Sequence, residues 1–309
     1  MHMKNIDSIL AVGSIAIDTL ETPNGNHKNI LGGSATYFSI AASLLAPVKL
    51  VGVVGKDFPS LGWKMFESRN INIDNVQILN GKTFRWGGRY NHDYSIRDTL
   101  FTELGVFDSF APLINFQDRT SSPLVFLGNI QPDLQLSVSN MIKSYDFMVA
   151  DTMNLWIDLD RKKLTEVLSI ADIFLINHEE AFQYTGLNSV QEAAMQLHAA
   201  GPRVIIIKLG AQGSFLSLKN NSYFIPTFPV KTVLDPTGAG DSFAGGFMAC
   251  LAQPKKIDFL ESAIMGTSMA SFCVERVGTQ ALQKITIDDL NQRMDVIKNR
   301  MALEPSISI

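Results

Sequence analysis

Six short apolar runs recur along the chain, at residues 9–12, 50–54, 124–127, 147–150, 173–176 and 204–207, and each has the length and uniformity of a strand buried on both faces. Between such runs lie stretches with apolar residues at helical spacing. Examples are Ala35, Phe38, Ala41, Ala42 and Leu45, then Leu134, Val138, Met141 and Ile142, then Ala193, Ala194, Leu197 and His198. Strands that alternate with helices imply right-handed crossovers, and hence an α/β fold with a doubly wound, mostly parallel sheet flanked by helices. Ligands of such sheets bind beyond the carboxyl ends of the strands. From Gly240 onward the pattern turns mostly helical.

Residues 81–104 break this rhythm. Tyr90, His92, Tyr94 and Ile96 alternate with Arg89, Asn91, Asp93, Ser95 and Arg97, which predicts a half-exposed antiparallel strand. With residues 83–86 before the Gly87-Gly88 pair and 99–104 after it, the segment forms a small meander outside the parallel sheet. Periodicity leaves two uses for it open, a lid over a site and a decorative hairpin.

The chain has 309 residues, 46% of them hydrophobic, enough for one large domain or a domain with an appendage. With 26 Lys and Arg against 30 Asp and Glu, the net charge is −4. No basic run accompanies it, so nucleic acid and anionic lipid are not expected partners, and a small molecule is. Cys250 and Cys273 fall in segments that read as buried helix and frame no disulfide scaffold. Residues 1–7 lack an apolar signal region, and the longest apolar stretches, such as 243–252, fall short of the roughly 18 residues that span a bilayer. No membrane partner and a cytoplasmic location are therefore expected.

Several chemistries lack their motifs. Gly52-x-x-Gly55-Lys56 has the wrong spacing for a P-loop, and Gly13 does not continue into Gly-x-Gly-x-x-Gly, which disfavours a dehydrogenase. The five histidines show no paired zinc spacing, and no Gly-x-Ser-x-Gly elbow occurs. The informative segment is Asp235-Pro236-Thr237-Gly238-Ala239-Gly240-Asp241-Ser242-Phe243, which runs from a loop into an apolar helix. Three small residues let the backbone turn tightly and aim amides and the helix dipole at one point, where an anion can sit beside the Asp241 carboxylate. An amide cradle facing a carboxylate suits phosphoryl transfer, although such a turn taken alone can equally be a helix start with a capping Asp.

The nine-residue segment resembles the carboxy-terminal signature of the PfkB carbohydrate kinases, the ribokinase-like family. Gly13 with Asp18, Gly32-Gly33, residues 52–57, Asn177-x-x-Glu180 and Lys208-Leu209-Gly210-x-x-Gly213 agree in order, so the likeness spans residues 9 to about 280. It implies a single ribokinase-like domain over 1–309, with a small antiparallel β lid formed by about 14–31 and 81–104. It also implies an ATP- and Mg²⁺-dependent kinase that phosphorylates a hydroxymethyl-type hydroxyl of a sugar or related small molecule. Asp241 would be the catalytic base and Gly238, Ala239 and Gly240 the anion hole. Asn177 and Glu180 would order Mg²⁺ and the ATP phosphates through water, while capping alone is the structural alternative for Asn177. Lys208, Gly210 and Gly213 would line the nucleotide channel, with Gly266 and Thr267 near the adenine.

On the acceptor side the resemblance assigns Asp18 to substrate hydroxyls and Gly32 and Gly33 to close backbone approach. Where sugar kinases commonly carry an Asn, this chain has Tyr37, a phenol suited to stacking on a sugar face or a base, which keeps a nucleoside kinase open as the alternative. Arg85, Arg89 and Arg97 place three cations on the lid. Arg97 returns toward the cleft, where a phosphorylated acceptor would need it, and edge strands carry Arg for solubility as well. Asp151, Asn154 and Trp156 follow a strand end and are candidates for the acceptor pocket. Asp235 and the loop before Gly278 fall where some relatives hold a monovalent cation such as K⁺. Lid edges in this family often pair, so a homodimer through the lid is a further expectation, and a noncatalytic sugar- or nucleotide-binding regulator is the rival outside enzymes.

Overall fold

A computed structural model describes residues 6–94 and 96–303. Thirteen strands are formed: β1 Ile9–Val12, β2 Ala16–Thr22, β3 Gly25–Gly32, β4 Val48–Gly55, β5 Asn72–Leu79, β6 Phe84–Tyr90, β7 Arg97–Glu103, β8 Leu124–Leu127, β9 Phe147–Asp151, β10 Ile173–Asn177, β11 Val204–Lys208, β12 Ser214–Leu218 and β13 Asn221–Ile225. Nine of them build the main sheet, in the order β13-β12-β11-β10-β9-β8-β1-β4-β5. Its pairs from β11 to β5 are parallel, and the β11–β12–β13 edge is antiparallel. The fold is thus the ribokinase-like α/β arrangement expected, with all six apolar runs inside the main sheet.

Alternate residues of each central strand feed opposite layers. Ile9 and Ala11 pack with helices Ser34–Ala42, Ala239–Leu251 and Phe259–Cys273, while Leu10 and Val12 pack with helices Arg161–Ile170 and Val190–Ala199. Burial on both faces is why these runs show no period of two. Helix Ala239–Leu251 is rich in small residues because its neighbours lie close. A Cβ on Gly245 would sit 2.6 Å from the Phe38 carbonyl oxygen, and one on Gly246 would sit 2.7 Å from Met269 Cβ.

Strands β3-β2-β6-β7 form a separate four-stranded sheet, with β2 and β6 parallel and the outer pairs antiparallel. The continuous strand expected through residues 90–97 is instead the tip of the β6–β7 hairpin. Asn91 N–H bonds the Ile96 carbonyl at 3.1 Å, Asn91 Oδ1 accepts from Ile96 N–H at 3.0 Å, and Tyr94 is left-handed at φ 61°. Polar residues at a turn tip mimic the exposed face of a strand, which accounts for the difference. Ser95, part of that alternation, lies outside the described residues, as do residues 1–5.

Candidate active site

Three neighbouring strands of the main sheet end on polar residues. Asp151 ends β9, Asn177 ends β10 and Lys208 ends β11, with Asn177 and Lys208 in register. Lys208 Nζ donates to both Asp151 oxygens, at 3.0 and 2.9 Å, in a largely buried pair. Burial alone would lower the ammonium's pKa, but Asp151, Glu180 and Asp241 surround it and leave it raised.

The Lys208 ammonium rests against the Gly-rich loop. A Cβ on Gly240 would lie 3.1 Å from Nζ, so the ammonium packs closely on the glycine. Gly238 begins helix Ala239–Leu251 from the left-handed region, at φ 76° and ψ 4°. The Ala239 N–H is taken by the Pro236 carbonyl at 3.2 Å, whereas those of Gly238 and Gly240 carry no hydrogen bond among the described residues. Of the three amides expected to form the anion hole, two are therefore free at the positive end of the helix. Asp241 stands in that first turn. Burial and the neighbouring Asp151 push its pKa up to about 7, against the pull of Lys208, its own backbone N–H and Arg97.

The loop is tied down from several sides. Asp235 is fully buried, its Oδ1 accepting from Thr237 N–H at 2.9 Å and its Oδ2 from Gly278 N–H at 2.9 Å. Cys273 Sγ donates to the Thr237 carbonyl at 3.4 Å. The small sheet reaches the same loop: Tyr90 Oη and Thr237 Oγ1 are 2.9 Å apart, and Tyr94 Oη donates to the Leu234 carbonyl at 3.1 Å.

Asp18, on β2, is buried near these groups, and burial together with Asp235 and Asp241 raises its pKa to about 8 against the pull of Arg97. Gly32 is glycine because a Cβ there would lie 1.9 Å from Asp18 Oδ2. At Gly33, φ is 91° and a Cβ would meet the Ser14 carbonyl oxygen at 2.4 Å. Arg85 and Arg89 pair with Asp57 and Glu21, at 3.8 and 2.6 Å. Arg97 has no ion pair among the described residues; its guanidinium lies 5.2 Å from the Trp86 ring centroid and its charge reaches Asp18, Asp241 and Glu180.

Tyr37 departs from expectation. It is 1% exposed, and a Cβ on Gly238 would lie 2.2 Å from its ring, so this face is packed against the loop and not offered to a base. Asn154 opens the helix Asn154–Leu159 and is exposed, while Trp156 is half-buried, its Nε1 donating to Asn129 Oδ1 at 2.9 Å.

On the nucleotide side, Asn177 and Glu180 form a capping box, with Glu180 N–H to Asn177 Oδ1 at 2.8 Å and Asn177 N–H to Glu180 Oε2 at 3.0 Å. The capping role thus exists, and it leaves Glu180 Oε1 without a hydrogen bond among the described residues. Burial raises the Glu180 pKa to about 7, opposed by Lys208 and the Asn177 N–H. Gly210, at φ 58°, and Gly213, at φ 120°, make the turn that closes with Leu209 N–H on the Gly213 carbonyl at 2.8 Å. Thr267 is buried in helix Phe259–Cys273, donating to the Ala263 carbonyl at 2.9 Å and lying 3.3 Å from Ser214 Oγ, so its hydroxyl is occupied within the protein. Among the described residues no three His, Cys, Asp or Glu side chains are grouped to hold a metal.

Sequence reasoning gave Asp151 to the acceptor pocket and did not foresee its pairing with Lys208. The signal was present, since Asp151 ends an apolar run as Asn177 and Lys208 do. Tyr90 and Thr237 had no such signal, because their contact joins segments 147 residues apart.

Comparison with known proteins agrees with this geometry. Residues 131–286 match the pfkB family carbohydrate kinase description. The chain is 37% identical over 294 residues to a ribokinase of Haemophilus influenzae, covering 90% of this chain and 92% of that one. It is 30% identical over 255 residues to a cytidine kinase of Thermococcus kodakarensis, covering 81% and 90%. The structure of Arabidopsis thaliana ribokinase with ribose and ATP superposes with a TM-score of 0.74 at 20% identity, over 94% of this chain and 99% of the other. The chain belongs to the PfkB family of carbohydrate kinases, enzymes that transfer a phosphoryl group to a hydroxyl acceptor.

Proposed function

We propose that this kinase transfers the γ-phosphate of ATP to a hydroxymethyl-type hydroxyl of a sugar or related small molecule, with Asp241 as the base. The observation that carries the reading is a buried carboxylate with a pKa near 7 in the first turn of a helix whose Gly238 and Gly240 amides are free. A base poised near neutrality takes a proton from an alcohol as it attacks, without being fully protonated beforehand. In the step, the acceptor oxygen bonds to the γ-phosphorus, its proton passes to Asp241, the bond to the bridging oxygen breaks, and ADP departs with that electron pair. The Gly238 and Gly240 amides take up charge on the migrating group, joined by Ala239 N–H where it leaves Pro236.

Glu180 Oε1, left free by the capping box, offers a hard oxygen donor that fits Mg²⁺ held largely through water. When bound, the ion supplies charge neutralisation across the ATP phosphates. Asn177 fixes Glu180 through the capping box, Lys208 balances the carboxylates facing the phosphates, and Gly210, Gly213 and the packed Thr267 form the wall toward the base. Asp18 receives acceptor hydroxyls, Gly32 and Gly33 admit the acceptor backbone-close, and Arg97 closes the cleft from the lid.

A nucleoside acceptor is the second reading, favoured by the cytidine kinase relative. Intact Asp241, Glu180 and the free amides favour catalysis over a binding-only regulator. A monovalent cation at Asp235 draws support from its burial beside the loop, and K⁺ dependence of kcat tests it. The exposed β7 edge supports pairing of two lids, read by sedimentation. No helix among the described residues is long and apolar enough to cross a membrane. The deciding experiment is coupled ADP release with Mg·ATP against free sugars, sugar phosphates and nucleosides, with Asp241→Asn beside every hit. A hit that survives Asp241→Asn at full rate sinks the base assignment.

A further inference from the structure

We infer that Tyr37 is a positioning residue for the anion hole: its ring holds Gly238 in the left-handed conformation from which the Gly238 and Gly240 amides are aimed. The inference rests on reading those amides as the cradle for the transferred phosphoryl group.

The contact is direct. A Cβ built on Gly238 would lie 2.2, 2.3 and 2.5 Å from Cγ, Cδ1 and Cδ2 of Tyr37, so the glycine is seated over the Cγ end of the ring face. The ring itself cannot drift, being 1% exposed within helix Ser34–Ala42. That helix starts at Gly33, where the Thr36 and Tyr37 N–H groups bond the Gly33 carbonyl at 3.0 and 3.2 Å and Ala35 N–H bonds the Ser14 carbonyl at 3.0 Å. One rigid element therefore joins the acceptor-side glycines to the transfer loop. The other side-chain ties on this loop, through Asp235, Thr237 and Cys273, act before Gly238; at Gly238 itself the ring acts beside the first helical hydrogen bond, from Ser242 N–H to the Gly238 carbonyl at 2.8 Å.

The hydroxyl is a separate matter. Tyr37 Oη is buried and has no hydrogen-bond partner among the described residues, and burial, with Asp235 and Asp18 nearby, raises its pKa well above the usual value. An orphaned hydroxyl contributes nothing to holding the loop. The flat ring carries the contact, and the hydroxyl is dispensable.

The test uses Tyr37→Phe and Tyr37→Met in the full chain, with Asp241→Asn as a parallel control. Melting temperature is measured first, then the affinity for Mg·ADP with and without aluminium fluoride, a mimic of the phosphoryl group in transfer, and then kcat and KM with ribose or cytidine. Tyr37→Phe is expected to keep the fluoride-dependent tightening, kcat and acceptor KM within about twofold. Tyr37→Met, which fills the volume without a flat ring, is expected to bind Mg·ADP within about threefold of the parent while losing at least about tenfold of the tightening and of kcat.

Retained tightening in Tyr37→Met overturns the inference. So does a rise of more than about fivefold in acceptor KM for Tyr37→Phe, which makes the hydroxyl a substrate contact. Should Tyr37→Met not fold, Gly238→Ala reads the same contact from the loop side, with lost tightening expected and retained tightening overturning. Failure of the underlying reading looks different: the parent itself would bind Mg·ADP with no response to fluoride, or Asp241→Asn would turn over at full rate.

Discussion

Asp241 fixes how the enzyme should respond to acid. With a free-enzyme pKa of about 7, raised by burial and Asp151, the group is half ionised at pH 7. The ionised share falls to about one-tenth at pH 6 and about one-hundredth at pH 5. Because kcat/KM reports ionisations of the free enzyme, its acid limb is expected to bend near pH 7 and to fall at least tenfold per unit below about pH 6. Glu180, also at about 7, and Asp18, at about 8, titrate beside it and steepen the limb. Asp241→Asn keeps the shape but cannot accept a proton, and should lower kcat by about 10²–10⁴ while leaving Mg·ATP affinity nearly unchanged. The assay is coupled ADP release from pH 5 to 9 in constant-ionic-strength buffer, parent against variant. A parent profile flat between about pH 5.5 and 7.5, or a variant within about tenfold of the parent kcat, refutes Asp241 as the base.

Stability should depend on pH with the sign opposite to a salt-bridged carboxylate. Asp18 has a folded pKa of about 8 against 3.8, so the protonated group favours the fold at low pH and that contribution is lost as pH rises toward and through 8. Asp18→Asn is therefore expected to raise the melting temperature of the ligand-free protein most at pH 9, less at pH 5, and to weaken acceptor binding; an equal effect at both pH values counts against the shift. Asp235→Ala strands the Thr237 and Gly278 N–H groups, and should destabilise by about 2–4 kcal/mol in urea melts, a change under about 1 kcal/mol refuting the clasp. Tyr90→Phe removes the 2.9 Å contact with Thr237. The loss of about 1 kcal/mol should appear as a rise of about fivefold in acceptor KM with kcat little changed, and an unaltered KM would separate the small sheet from the loop.

Local chemistry made several parts of this molecule legible in the amino-acid sequence. Residues 9–12 and 124–127 coincide with β1 and β8, since four apolar residues with no alternation have no other place than the centre of a covered sheet. The segment at 235–243 carries both its turn and its carboxylate in one contiguous stretch. Asn177 shows the limit of such reasoning, because the spacing that suits a nucleotide motif is also the spacing of a capping box, and the structure uses it for capping while leaving one Glu180 oxygen available. Residues 90–97 mislead for a related reason, as turn polarity and strand polarity look alike over a few positions. Tyr37 stands out as a departure from the sugar-kinase pattern, but its partner Gly238 is 201 positions away by sequence number, and nothing local to either residue predicts that they touch.

What the long-range contacts add is preorganisation. A loop of small residues is free to take many conformations, and amides that wander cannot stabilise charge developing on a phosphoryl group. Here Asp235 joins the loop to Gly278, Cys273 joins it to the end of helix Phe259–Cys273, Tyr90 joins it to the small sheet, and Tyr37 supports it from helix Ser34–Ala42. Each tie comes from a different segment of the fold, and together they constrain the backbone that leads into the two free N–H groups. The glycines that make the cradle possible would by themselves make it loose. On the proposed reading of this loop as an anion hole, its competence depends on residues that never need to touch the phosphate.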